Sequence, residues 1–284
     1  MMGVAMPHEA RRLLVTASFI AIIVASAPAP AADLDLEPSP VLPPANGVAA
    51  VSAPNGKFDL RGGVIDGQGA GFAVGSYSLP VGNPVGVQFD ALGGALGDAF
   101  AVAFGGHGFW RDPQVGLLGA YGDIGYSGQQ GGVTVGRAAG EGEYYAGPVT
   151  ISGLAGYQYG GAGTGLFGKA GVSYYATPDF KLDVGYSVQP LIADRVTFGA
   201  EAMVAEKSGF SLFGQGGVAG SDWSALVGIR FYSGPSKSLI DRQRRDDPSD
   251  HFDLFNDAVS GFVSHACPAN WAWDPDLMEC EEIG

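Results

Sequence analysis

Two cysteines in 284 residues, charged side chains at only 15 %, and 15 Lys and Arg against 29 Asp and Glu define what this chain has little of. Two cysteines, Cys267 and Cys280, are too few for a disulfide scaffold or a cysteine-rich metal cluster. With a net charge of -14, a nucleic-acid surface is excluded, because phosphate binding needs clustered Lys and Arg. The apolar run Leu13 to Ala27 falls short of the roughly 20 residues that a spanning helix requires. Low charge combined with 47 glycines also argues against a disordered polyanion and against a long-helix protein.

What is present is alternation. In Asp222 to Tyr232, the residues Trp223, Ala225, Val227, Ile229 and Phe231 share one face of an extended chain. Asp222, Ser224, Gly228 and Arg230 share the other, with Leu226 as an apolar exception. Phe180, Leu182, Val184 and Tyr186 alternate with Lys181, Asp183 and Ser187. Val196, Phe198 and Ala200 alternate with Arg195, Thr197 and Glu201, and Phe58, Leu60 and Val64 alternate with Asp59 and Arg61. Two-faced strands without helical segments between them fit a barrel with lipid outside and water or paired charge inside.

The chain divides into four segments. Residues 1–32 read as an export signal, with Arg11 and Arg12 before the apolar run and Ala29-Pro30-Ala31 after it. Residues 33–56 are a Pro- and Ala-rich periplasmic linker, 57–232 the barrel, and 233–284 an acidic periplasmic tail. That tail, from Pro235 on, holds 4 basic and 11 acidic residues. Tight-turn signals at Gly82-Asn83-Pro84, Asp112-Pro113, Gly147-Pro148, Thr177-Pro178-Asp179 and Glu206 to Gly209 recur at intervals of about 30 residues, one hairpin of membrane strands each. The other connections are expected at 67–70, 93–97, 127–132, 160–164, 189–194 and 220–221. The result is an all-β, antiparallel, up-and-down transmembrane barrel of about 12 strands with both ends at the tight-turn side. Gly71 to Leu79 lacks clean alternation and Val133-Thr134-Val135 falls out of phase with Arg137, Glu141 and Glu143, so a bulge or a different strand boundary is expected there.

The stretches Gln88-Phe89-Asp90, Phe109-Trp110-Arg111-Asp112-Pro113, Glu141-Gly142-Glu143-Tyr144-Tyr145 and Lys237-Ser238-Leu239-Ile240 resemble those of a porin-like group of alphaproteobacterial outer-membrane barrels. The resemblance implies a Gram-negative outer-membrane location, with membrane lipids and the barrel-assembly machinery as partners. Such barrels end on an aromatic residue; here Phe231 and Tyr232 hold that position internally.

The expected lumen-lining residues are Arg61, Asp90, Arg137, Glu141, Lys181, Asp183, Arg195, Glu201 and Arg230. Charges on neighbouring strands either restrict a channel or fill it. Trp110, Tyr144, Tyr145, Tyr174, Tyr175, Phe231 and Tyr232 beside the tight turns form the expected aromatic girdle. His107 is read as an inward structural residue, and no triad spacing points to catalysis, so no enzyme, metal or cofactor is expected. His251 to Val259 has the pattern of a short amphipathic helix, and the acidic tail is a candidate contact for a periplasmic partner. The functional expectation is a narrow passive channel for small polar solutes. The alternatives are a structural or surface-interaction barrel with a charge-filled lumen and, last, an envelope enzyme.

In an exported chain, Cys267 and Cys280 are expected to form a disulfide. The unreduced, unfolded protein should therefore show no alkylatable thiol; two reactive thiols would exclude the bridge.

Overall fold

The computed structural model describes residues 49–205, 208–264, 271–274 and 279–282. The export signal, most of the linker and Cys267 lie outside these residues, and the disulfide with them. Twelve strands follow one another: β1 (Asn55–Ile65), β2 (Gln68–Gly82), β3 (Val85–Leu96), β4 (Ala99–Asp112), β5 (Gly116–Ser127), β6 (Val133–Ala146), β7 (Val149–Gly160), β8 (Gly165–Thr177), β9 (Phe180–Val188), β10 (Arg195–Met203), β11 (Phe210–Ala219) and β12 (Asp222–Tyr232). Each pairs antiparallel with its neighbours in the chain, and β1 closes on β12 from Lys57↔Tyr232 to Ile65↔Ser224. Closure leaves no strand edge unpaired, the condition a sheet must meet to stand in lipid.

The outward face carries Phe58, Phe89, Phe104, Leu118, Ile124, Leu166, Val184, Phe198, Leu212 and Val227, all exposed, with no second layer of the described chain over them. An apolar surface of that extent around a whole barrel is a lipid-facing surface, since water-soluble monomers rarely expose contiguous apolar patches larger than a few hundred Å². The fold is a transmembrane up-and-down barrel.

Two segments expected as loops are strand, because β2 begins at Gln68 and β3 runs through Leu96. The expected irregularities also move. Phe72, Val74, Ser76 and Ser78 alternate cleanly into the barrel, and Val133 and Val135 lie in phase with Arg137 and Glu141. The register shifts instead at Pro80/Gly82 and Tyr175/Thr177. The apparent loss of pattern has one cause: on these strands the inward face is itself apolar.

The reason lies in the C-terminal segment. After β12 the chain turns back into the barrel as helices α1 (Leu239–Arg245) and α2 (Phe252–Ser264), followed by the hairpin β13 (Trp271–Asp274) and β14 (Glu279–Glu282). Helix α1 begins at Ser238, whose Oγ accepts the N–H of Asp241, and carries Arg242, Arg244 and Arg245 in its last turn, where cations suit the helix dipole. In α2, Phe252, Phe255, Ala258 and Val259 pack with the inward Ile65, Phe72, Val74, Leu92, Leu96, Ala101, Ala103, Val133, Val135 and Leu226. The expectation of a free periplasmic tail is thus corrected for 247–264, which lie within the lumen, with α1 across its mouth. Seven residues of α1 and 13 of α2 would be marginal as free helices; buried against the wall they are not.

Val227 is 70 % exposed on the lipid side, whereas Gln215 borders the lumen. A cation at the bilayer midplane costs about 2–4 kcal/mol, so Val227→Arg should lower the yield of heat-modifiable barrel and Gln215→Arg should leave it near wild type.

Candidate functional site in the barrel lumen

The lumen has two unlike halves. Toward β1 to β6 the wall presents the apolar seat of α2. Gly125 is part of that seat: a Cβ there would stand 2.4 Å from a ring carbon of Phe255, so glycine is what lets the ring lie against β5. A second cluster places Leu254 against Tyr121, Leu154 and Phe167. Toward β9 to β12 the wall is largely polar and glycine-rich, and α2 turns Asn256 and Asp257 to it, with Asp253 reaching Lys169 on β8. A cavity of about 210 Å³ remains between them, bordered by Lys181, Asp183, Gly199, Glu201, Gln215 and Arg230 among others.

The acids of the tail meet the bases of the wall. Asp253 lies 2.5 Å from Lys169 Nζ, Asp257 lies 3.4 Å from Arg195 Nε, and Asp250 lies 3.5 Å from Arg61 Nη2. Ser260 Oγ donates to Asp66 at 2.8 Å, and His251 Nε2 stands 3.4 Å from Glu141. Between the helices, Lys57 Nζ and Gln88 Nε2 both donate to the carbonyl of Pro248 at 3.2 Å, and Ser78 Oγ donates to Asp247 at 3.1 Å. Burial, with the Asp246 charge beside it, pushes the Asp247 carboxyl above the usual carboxylate range against the pull of Lys57.

Each sequence-predicted lumen residue has its side chain inside the barrel. Arg61 bonds Asp59 through Nε at 2.8 Å, and Arg230 joins Asp59 at 3.1 Å to Glu201 at 2.7 Å. Lys181 lies 3.8 Å from Asp183 and 3.9 Å from Glu201. Arg195 bonds Asp66 at 2.8 Å across the end of the barrel. Arg137 forks onto Asp123 at 2.6 and 3.0 Å, and Asp90 and Glu141 flank His107 at 2.9 Å on either side. Arg61, Lys181, Asp183, Arg195, Glu201 and Arg230 gather around the cavity, while Asp90 and Arg137 do not border it. The expected water-filled path is therefore corrected: the lumen of the described chain holds α2 and a cavity beside it, with α1 across the mouth. Twelve strands enclose more than their own side chains occupy, and the tail takes up the difference.

The aromatic girdle divides. Trp110, Tyr144, Tyr174 and Phe231 point outward and are exposed, but Tyr145, Tyr175 and Tyr232 are buried inside. Consecutive strand residues take opposite faces, so Tyr144-Tyr145, Tyr174-Tyr175 and Phe231-Tyr232 each supply one ring to either side. The inner rings hold α1 across the tight-turn mouth. Arg244 lies over Tyr145 and Tyr175 at 4.8 and 5.5 Å, and donates to the carbonyls of Gly147 and Val149 at 2.8 Å. Tyr175 donates to Gln243 at 2.6 Å, and Arg242 stacks over Tyr232 at 5.2 Å. Ala50 and Val51 from the linker add a buried patch with Phe109 and Leu117, and the backbone N–H of Ser52 donates to Arg245 at 2.9 Å. Sequence reading missed His251, Asp253, Asp257, Gln243 and Arg244 as partners of the wall; the amphipathic pattern from His251 to Val259 was the signal for the first three, and no pattern pointed to Gln243 or Arg244.

No protein-family model matches the chain, and no curated protein matches it. Among solved structures it is similar to the KdgM porin in complex with disordered oligogalacturonate, at 10% identity, TM-score 0.49, covering 62% of this chain and 98% of that one. It is similar to Omp33 of Acinetobacter baumannii, at 9% identity, TM-score 0.44, covering 63% and 97%. It is also similar to the translocator domain of the autotransporter NalP from Neisseria meningitidis, at 14% identity, TM-score 0.38, covering 63% and 86%. These likenesses are too distant to carry a function across.

Arg195 is buried between Asp66 on the wall and Asp257 on α2. Removing one member of such a cluster leaves uncompensated buried charge, which costs about 3–5 kcal/mol. Arg195→Ala, which strands both carboxylates, should lower the denaturation midpoint of the inserted barrel accordingly, and Asp257→Asn should lower it less because Arg195 keeps Asp66 as its partner.

Proposed function

We propose that this protein is an outer-membrane β-barrel channel of the porin-like kind, held closed by its own C-terminal segment. The observation that carries the reading is the asymmetric seat of α2. Its apolar face packs mainly on β1 to β6, while its polar face reaches a glycine-rich, charged wall through Asp253 and Asp257 and leaves a cavity beside them. Release of α2 from its apolar seat would turn the cavity into a narrow path for small polar solutes, lined by Lys181, Asp183, Glu201 and Arg230. With tight turns at the periplasmic mouth, as in bacterial barrels, α1 and the linker residues 49–54 are the periplasmic closure.

A second reading, a filled structural barrel that never conducts, is favoured by the apolar cluster that binds α2 to the wall. Gly125→Val separates the two, because a side chain there displaces the Phe255 ring without adding charge. In planar bilayers the wild-type protein should be closed most of the time with rare small conductance steps, and Gly125→Val should open far more often. A variant that inserts, migrates as a folded barrel and stays silent would leave the structural reading. A wild-type protein that conducts steadily would contradict closure by the tail.

A further inference from the structure

We propose that His107, Glu141 and His251 form a binding site for one borderline divalent cation of the Zn²⁺ class, which ties the C-terminal segment to the barrel wall. The three come from separate places: His107 from β4, Glu141 from β6, and His251 from the residue that precedes α2. Their donor atoms lie within 4.8 Å of one another. His107 Nδ1 is 2.9 Å from both oxygens of Glu141, and His251 Nε2 is 3.4 Å from one of them. Ligands bound at about 2.0–2.2 Å to one tetrahedral ion stand near such separations, so small side-chain adjustments suffice.

Charge points the same way. Most carboxylates inside the barrel face an Arg or Lys, whereas Asp90 and Glu141 have imidazoles as their ion-pair partners among the described residues. Both are buried, and buried negative charge must be offset. A divalent cation offsets two of them. The second carboxylate is placed to act as an orienting partner: Asp90 Oδ2 lies 2.9 Å from His107 Nε2, both atoms buried and free of other hydrogen bonds, so a small turn of the ring lines up the N–H there and leaves Nδ1 as the lone-pair donor. On binding, the proton shared by Nδ1 and Glu141 leaves to solvent and the ion takes its place. His251 brings a buried Nδ1 with no hydrogen-bond partner, and its ring packs on Tyr121 at 4.9 Å and on His107 at 5.7 Å. Two nitrogens and one carboxylate suit Zn²⁺ and its neighbours rather than Ca²⁺ or Mg²⁺, which prefer oxygen. A fourth position faces the cavity, which Glu141 and His251 both border.

The site requires the tail to be seated in the lumen, but it does not require that the barrel conduct. Its test uses Co²⁺ as the probe on untagged, full-length, folded protein in detergent. One equivalent should bind with visible d–d bands and be displaced by one equivalent of Zn²⁺. Asp90→Asn should weaken binding about 10- to 100-fold, and His251→Gln by more, with both variants still migrating as folded barrels. X-ray absorption of the Zn²⁺-loaded wild type should give nitrogen and oxygen neighbours with imidazole scattering, which stands even if a variant fails to fold. No saturable binding, or binding unchanged in folded His251→Gln, would overturn the proposal. Binding together with an unaltered closed state in bilayers leaves the site intact and touches only the channel reading.

Discussion

A closed sheet of twelve strands encloses more space than its inward side chains can fill, and the rest of this structure follows from what occupies that space. If water filled it, the charges on the wall would be solvated and the apolar patch formed by Phe72, Val74, Leu92 and Val135 would be exposed to it. Instead the chain supplies its own filler. The C-terminal segment brings Phe252, Phe255, Ala258 and Val259 to that patch and Asp250, Asp253 and Asp257 to Arg61, Lys169 and Arg195. Both faces of α2 are matched at once, which fixes its rotation as well as its position.

The ionic contacts define a seat more than they add stability. A buried pair recovers through attraction roughly what desolvation costs, so its net contribution is small, while a mismatch is expensive. Helix α2 slipped by one residue would take Asp253 from Lys169 and Asp257 from Arg195 together. The same logic explains the mouth, where Arg244 satisfies two wall carbonyls and lies over the rings of Tyr145 and Tyr175.

The barrel was legible because its outward face obeys a strict period of two, and strands with charged inward residues, such as β9, β10 and β12, could be read directly. Strands β2 and β6 were obscure for a physical reason. Phe72, Val74, Val133 and Val135 are apolar and inward, a combination that makes sense only once a helix is known to lie against them. Leu226, the exception on the polar face of β12, belongs to the same set. The paired aromatics misled in the opposite way, since a position beside a turn says nothing about which ring of a consecutive pair faces lipid. Placement of the tail depends on contacts between residues nearly 200 positions apart, such as Ser260 with Asp66. No local pattern records such a contact.

The central claim is that α2 lies inside the barrel, and its far end offers a direct test. A Cβ at Gly261 would stand 3.2 Å from the Cβ of Ile192 in the β9–β10 connection, close to the ~3.5–4.5 Å that a disulfide spans. In a protein whose Cys267 and Cys280 are changed to Ser, the pair Ile192→Cys and Gly261→Cys should oxidise rapidly to an intramolecular disulfide in the folded, membrane-inserted barrel. Two thiols that stay reduced under oxidant, each freely alkylated in the folded protein, would contradict a lumen filled by the C-terminal segment.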